Sequence, residues 1–87
     1  MAKYRILIKS SAAKEIEAVD AKTGRQRIIA RIRALAADPR AHGSEKLAGY
    51  ADRYRVRQGR FRIIYLIDDH RSEVTIFKVG QRKDVYR

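Results

Sequence analysis

Residues 53–62, RYRVRQGRFR, contain five arginines and no acidic residue. Polar and apolar side chains alternate through the stretch, which is typical of a β-strand with one solvent face and one core face. The solvent face would carry the basic side chains Arg53, Arg55 and Arg57. Gln58 and Gly59 interrupt the alternation, and glycine accepts the positive φ that a two-residue hairpin loop needs. The stretch therefore predicts a β-hairpin with its loop at Gln58-Gly59 and with Arg60 and Arg62 on the returning strand.

A sheet that projects guanidinium groups is suited to binding phosphates, because each group offers a fixed fork of donors. The simpler alternative is a solvated charged face without a specific ligand. The absence of interleaved Asp or Glu within residues 53–62 favours a polyanionic ligand.

The composition predicts one small domain over residues 1–87. The formal charge of +11 implies a polyanionic partner, which is a nucleic acid, a membrane surface or an acidic protein. The chain contains no cysteine, so it has neither a disulfide framework nor a thiolate metal site. No transmembrane run or signal peptide is recognisable, and we expect a cytosolic protein that does not bind membranes.

Periodicity along the chain predicts an α+β fold with the order β-α-α-β-β-β, in which two helices cover one face of a mainly antiparallel sheet. The predicted elements are a strand at residues 4–9, helices at 10–20 and 24–37, and strands at 54–58, 61–67 and 74–79. Ser10 or Ser11 is expected to cap the first helix. The expected core residues are Ala12, Ile16 and Val19 in the first helix, Ile28, Ile29, Ile32, Leu35 and Ala36 in the second, and Tyr65 and Phe77 in the sheet.

The usual catalytic groups are missing from the sequence. His42 and His70 lie in predicted loops without metal-ligand spacing, and we expect both at the surface. Asp68-Asp69 lies in a predicted turn, where aspartate is favoured for backbone reasons. Because the sequence has no clustered carboxylates and no glycine-rich phosphate loop, we expect neither a metal nor a cofactor.

Arginine and tyrosine are the residues left for chemistry. In an antiparallel sheet, the strand ends could bring together five side chains: Arg55, Arg57, Arg62, Arg82 and Tyr86. Such a site could hold RNA by its phosphates and stack a base on Tyr86. It could also stabilise the phosphorane that forms when a ribose 2′-OH attacks its own phosphate.

Three motifs occur in order along the chain: Lys46-Leu47-x-Gly49, then YRVRQGRFRIIY at residues 54–65, then VGQRKDVY at residues 79–86. Together they resemble the RelE branch of the RelE/ParE toxin superfamily over essentially the whole chain. The resemblance implies a type II toxin that cuts mRNA in the ribosomal A site by 2′-OH attack. It also implies a RelB-like antitoxin as partner, and binding to operator DNA only through the antitoxin complex.

By motif position, the resemblance carries catalytic roles onto Arg55, Arg57, Arg62, Arg82 and Tyr86. General RNA contacts are expected from Lys46, Arg53, Arg60 and Lys83. Relatives have lysines at the pair in the second predicted strand, whereas this chain has arginines, which cannot serve as a base. Tyr86, with its pKa lowered by nearby guanidinium groups, is then the candidate for proton transfer. Gln81 also departs from the histidine or lysine of many relatives.

Other interpretations stay open at this point. Arg55 and Arg57 could be solvated or could bind acidic antitoxin side chains, and Arg62 could pair with Asp68 or Asp69. Arg82 and Tyr86 could simply form a basic carboxyl terminus. A ParE-like inhibitor of DNA gyrase would share the fold without cutting RNA, and a non-catalytic nucleic-acid binder is a third class.

Overall fold

The computed structural model describes residues 3–49 and 52–81. These residues form two helices and five strands. In chain order the elements are β1 (Arg5–Ile8), α1 (Ser10–Glu17), α2 (Lys22–Ala34), β2 (Glu45–Lys46), β3 (Arg53–Gln58), β4 (Phe61–Asp68) and β5 (Glu73–Gln81).

The five strands form one sheet in the order β1-β5-β4-β3-β2. Strand β1 runs parallel to β5, and every other neighbouring pair is antiparallel. The predicted α+β class is confirmed, with one added element. Strand β2 has only two residues, too few to produce an alternating pattern, and its pairing with β3 is a long-range contact.

The hairpin between β3 and β4 lies one residue later than predicted. Gln58 pairs with Phe61, so the loop residues are Gly59 and Arg60 and not Gln58 and Gly59. Gly59 has φ of 61°, and the first position of a two-residue loop is where this left-handed value is needed. Arg60 therefore lies in the loop and not on the returning strand.

Both helices are shorter at their carboxyl ends than predicted. Helix α1 ends at Glu17, and α2 begins at Lys22 and ends at Ala34. The predicted serine cap is wrong, because Ser10 is already helical and Lys9 occupies the cap position without a capping side-chain bond. Val19 is nevertheless buried beyond the end of α1, so the connection to α2 still packs on the core.

The core lies between the helices and one face of the sheet. Its residues are Ala12, Ile16, Val19, Ile28, Ile32, Leu35, Val56, Ile63, Tyr65, Ile67, Val74, Ile76 and Val79. Tyr65 is fully buried, and its hydroxyl donates a 2.6 Å hydrogen bond to the Pro39 carbonyl. That bond fastens the α2–β2 connection to the sheet.

Three expected core residues do not belong to the core: Ala36 is only half-buried, and Ile29 and Phe77 lie elsewhere. Ile29 is 38% exposed, because α2 turns only its Ile28 and Ile32 side toward the sheet. Phe77 is displaced by a β-bulge, since Ile64 pairs with Lys78 whereas Tyr65 pairs with Ile76, which leaves Phe77 as the extra residue of β5. Its ring contacts Lys9 and Arg53 and not the core.

Candidate nucleic-acid interface

The sheet face opposite the helices carries the predicted arginines. Val56 and Ile63 are buried on the core face, so Arg53, Arg55 and Arg57 of β3 and Arg62 of β4 project from the other side. We call these four side chains the arginine face. The alternation of residues 53–62 predicted these four positions correctly, but it also placed Arg60 on the returning strand, which is wrong.

Arg57, Arg62 and Gly80 form one row across three strands. Arg57 lies opposite Arg62, and Arg62 lies opposite Gly80. Residues directly opposite each other project to the same face, so the two guanidinium groups are neighbours beside a residue without a side chain. The row lies next to the hairpin loop, and β5 ends one residue later at Gln81.

Arg62 has a donor that is unused within the described part of the chain. Its Nε is buried and has no hydrogen-bond partner there, whereas Arg57 is exposed. Buried donors are nearly always satisfied, and those that are not call for an explanation. An anion bound in the Arg57–Arg62–Gly80 row would supply the missing acceptor.

Arg55 forms an ion pair with an acidic residue that lies outside residues 53–62. Glu45 of β2 lies opposite Arg55 and forms an ion pair with it. The side chain of Arg55 is only 13% exposed, whereas that of Glu45 is 66% exposed. The expectation of an acid-free arginine cluster therefore fails at this position, because an edge strand brings a distant carboxylate beside it.

The remaining RNA contacts predicted from sequence are dispersed. Lys46 lies opposite Tyr54, which is on the core side of β3, so its side chain projects away from the arginine face. Arg60 is exposed in the hairpin loop. Arg82, Lys83 and Tyr86 lie outside the described residues, and their proposed roles stay predictions.

Asp68 and Asp69 do not pair with Arg62. They lie at and beyond the other end of β4, where Asp68 is six positions from Arg62, which corresponds to roughly 20 Å along the strand. Arg71 is within 4.0 Å of Asp68, and Arg40 donates two bonds of 2.9 and 3.2 Å to Asp69. His42 and His70 are exposed, as predicted.

Arg40 and Asp69 belong to a polar cluster that we call the end clamp, formed by Tyr4, Arg40, Tyr54 and Asp69. The Tyr4 hydroxyl donates a 2.7 Å bond to Asp69, and Arg40 Nε donates a 3.3 Å bond to the Tyr54 hydroxyl. The hydrogen bonds from Arg40 lower the pKa of Asp69, whereas the bond to Asp69 raises the pKa of Tyr4. The clamp fastens four segments that are distant in sequence.

The described residues hold no group of three or more histidine and carboxylate side chains that could bind a metal ion. In the same part of the chain, neither helix has the length and apolar character needed to cross a membrane.

Sequence reasoning missed Lys9 and Phe77, which lie beside Arg53 of the arginine face. Lys9 Nζ lies 4.1 Å from the centroid of the Phe77 ring, and the guanidinium carbon of Arg53 lies 4.5 Å from it. The alternation of polar and apolar residues in a strand does not reveal a β-bulge. The sequence of β5 therefore gave no signal that Phe77 lies near Lys9 and Arg53.

The fold and the sequence both match a known class of toxin. The family model for the ParE toxin of the type II toxin–antitoxin system parDE matches residues 6–86. The chain belongs to this family, and hence to the RelE/ParE superfamily of toxins.

Solved structures place the fold within the RelE branch of that superfamily. The RelE–RelB complex from the archaeon Pyrococcus horikoshii matches with a TM-score of 0.82 and 25% identity, over 95% of this chain and 99% of the other. The isolated RelE toxin of E. coli matches with a TM-score of 0.78 and 25% identity, over 95% and 90%. The intact E. coli RelBE toxin–antitoxin complex matches with a TM-score of 0.78 and 24% identity, over 90% of this chain and 95% of the other. No curated protein sequence matches the chain.

Proposed function

We propose that this toxin is an endoribonuclease that cuts mRNA in the A site of the ribosome. The observation that carries the proposal is the Arg57–Arg62–Gly80 row with its buried, unused Arg62 Nε. A phosphodiester in this row would accept a hydrogen bond from Arg62 Nε and would lie between the guanidinium groups of Arg57 and Arg62. The structural likeness to RelE toxins supports the same activity.

The proposed reaction is a transesterification within the RNA. The 2′-oxygen of a ribose attacks the adjacent phosphorus, and the bond from phosphorus to the 5′-oxygen of the next nucleotide breaks. The products are a 2′,3′-cyclic phosphate and a 5′-hydroxyl. Arg62 and Arg57 stabilise the additional negative charge on the phosphorane, a role that typically contributes about 10²–10³-fold to the rate for each donor.

Proton transfer needs a group other than arginine, because guanidinium does not lose its proton. We assign Tyr86 to accept the 2′-OH proton, with Arg82 as a further phosphate ligand. Replacing Tyr86 with Phe is expected to slow cleavage strongly while leaving RNA binding largely intact. Unchanged cleavage by Tyr86→Phe would contradict this assignment.

The ribosome supplies alignment that the protein lacks. A site without a conventional acid–base pair depends on holding the 2′-oxygen in line with the leaving oxygen, and such positioning is worth many orders of magnitude in rate. We therefore expect poor activity on free RNA.

The proposed regulatory partner is an antitoxin. Relatives of the same fold were solved as RelE–RelB complexes from Pyrococcus horikoshii and E. coli. We propose a RelB-like antitoxin for this toxin, with action in the cytosol and with operator DNA bound only through the complex. An acidic antitoxin would also neutralise part of the +11 charge.

Purified toxin added to ribosomes translating a defined mRNA tests the RNase proposal. We expect new 5′ ends within A-site codons, no such ends without ribosomes, and strongly reduced cleavage with Arg62→Gln. Arg71→Gln is the matched control, because it removes the same charge from the β4–β5 turn at the other end of β4. Intact mRNA, or equal losses in both variants, would overturn the proposal.

Inhibition of DNA gyrase is the second candidate, and the match to the ParE family model favours it. It would act through protein contact without RNA cleavage. Stabilised gyrase–DNA cleavage complexes with supercoiled DNA, together with intact mRNA on ribosomes, would establish this alternative.

A further inference from the structure

We propose that Phe77, Lys9 and Arg53 form a second RNA subsite beside the cleavage site. The ring of Phe77 stacks on a base of a neighbouring nucleotide, and the two cations bind its phosphate. This inference rests on the proposed RNase function for the identity of the ligand. We call the three side chains the ring subsite.

The ring subsite is assembled from three separate parts of the chain. Phe77 is the bulge residue of β5, Lys9 connects β1 to α1, and Arg53 begins β3. Since β4 separates β3 from β5, the Arg53 side chain must cross β4 to reach the ring. Ile64 of β4 lies on the same face of the sheet as Arg53. Its side chain is only 5% exposed, so neighbouring side chains cover it.

Positive charge is concentrated around the ring. Lys9 Nζ and the Arg53 guanidinium carbon lie 4.1 and 4.5 Å from one centroid, so they are at most about 9 Å apart, a distance at which like charges repel. Within residues 3–49 and 52–81, Lys9 makes no salt bridge. A phosphate beside the ring would give Lys9 an ion-pair partner.

The pairing of an aromatic ring with cations matches the chemistry of a single-stranded nucleotide. Proteins bind such strands by stacking bases on aromatic rings and by contacting the backbone with basic side chains. The Arg53 guanidinium, a planar group on a flexible stem, already lies over the ring. A base can take its place while Arg53 turns to the phosphate. An acidic peptide would use the cations and not the ring.

The position of the ring subsite suits a strand that also occupies the cleavage row. Phe77 precedes Gly80 by three residues of β5, which corresponds to about 10 Å along the strand. Both positions lie on the arginine face, so one continuous RNA could contact both without bending around the sheet.

The first test uses Phe77→Trp, which introduces the sole tryptophan of the chain. A short single-stranded RNA with 2′-O-methyl riboses, which 2′-OH attack cannot cleave, is titrated into the Phe77→Trp variant. The tryptophan fluorescence is recorded at each RNA concentration. We expect stacking to quench the emission, less so in the Lys9→Gln background. Ile29→Trp, at a 38% exposed position on α2, is the control and should not respond. No quenching of Phe77→Trp, or equal quenching by polyglutamate, would overturn the ring subsite.

The second test uses Phe77→Leu in ribosome-dependent cleavage, with Phe77→Trp as the variant that restores an aromatic ring. Loss of one stacked base should raise the half-saturating concentration about tenfold, with the maximal rate preserved. Phe77→Trp should restore the half-saturating concentration of the unsubstituted toxin. An unchanged half-saturating concentration in Phe77→Leu contradicts the subsite while leaving the RNase function intact. Quenching of Phe77→Trp without cleavage by the unsubstituted toxin contradicts the function and leaves the subsite intact.

Discussion

The guanidinium group of Arg62 differs from the others of the arginine face in having a buried Nε without a hydrogen-bond partner among the described residues. It lies between exposed Arg57 and Gly80, so only one of its strand neighbours carries a side chain. This donor has no acceptor among the described residues, so a phosphate oxygen that reaches it would satisfy it. A lysine at the same position would keep the charge but lose the planar fork.

Arg62→Lys is therefore expected to lower the maximal cleavage rate on ribosomes by about 10²-fold, with little change in melting temperature. Arg57→Lys, at the exposed neighbouring position, should lower the rate less. Single-turnover cleavage and thermal unfolding measure both effects. Full activity of Arg62→Lys would mean that charge alone, and not the donor geometry, is required.

The Glu45–Arg55 pair offers a gain-of-binding prediction. Glu45→Gln removes a carboxylate that forms an ion pair with Arg55 on the arginine face, so affinity for single-stranded RNA should rise and its salt dependence should steepen by about 0.7 in logarithmic slope. Because Glu45 is well exposed, stability should change by less than about 1 kcal/mol. Fluorescence anisotropy at several salt concentrations measures the slope. Glu17→Gln on α1 is the control, and an equal rise in that variant would contradict the account.

At the residue level, alternation was sufficient to predict the arginine face, but two features escaped it. Glu45 reaches Arg55 through a strand of two residues, and Phe77 reaches the arginine face through a bulge. Both depend on pairing between distant segments, which a local pattern does not encode.

The β3–β4 hairpin is the element that sets the register of the arginine face. Gly59 supplies the positive φ at its loop, and this placement, one residue later than predicted, fixes Arg57 opposite Arg62. The type of element and the pairing of its strands were predictable from sequence. The exact loop position was not, because both Gln58-Gly59 and Gly59-Arg60 contain the required glycine.

Gly59→Ala should lower the free energy of unfolding by about 1–2 kcal/mol, since a left-handed conformation is unfavourable for alanine. Gly24→Ala is the matched control. Gly24 is helical, and an added Cβ there would meet Val19 and Ala21 at 3.6 and 3.7 Å, which are ordinary contact distances. The control should be neutral or slightly stabilising. Urea unfolding compares the two, and equal effects would argue against the assigned loop.

On the scale of the whole molecule, the end clamp joins segments that are far apart in sequence. Tyr4 precedes β1, Arg40 lies between α2 and β2, and Asp69 follows β4. The three motifs, all within residues 46–86, agreed with the overall fold that the periodicity along the chain predicted. They could not predict the clamp, whose residues lie outside all three motifs apart from Tyr54.

The clamp predicts a pH-dependent stability. Arg40 lowers the pKa of Asp69 below its ordinary value of 3.8, so the stabilisation is fully present above that pH and is lost as the pH falls through the lowered value. The melting temperature of Asp69→Asn should therefore be lower than that of the unsubstituted protein at pH 7. The two melting temperatures should converge at acidic pH. Asp20→Asn, at an exposed carboxylate between the helices, is the control. A constant difference down to acidic pH would contradict the assignment.

The chemistry of the RNA ends tests the central claim most directly. Ribosomes programmed with a defined mRNA are treated with the toxin, and the termini of the fragments are identified. Attack by the 2′-OH predicts a 2′,3′-cyclic phosphate on one side of the cut and a 5′-hydroxyl on the other, only when ribosomes are present. Fragments with 5′-phosphates, which report attack by water, or an mRNA left whole would contradict the account.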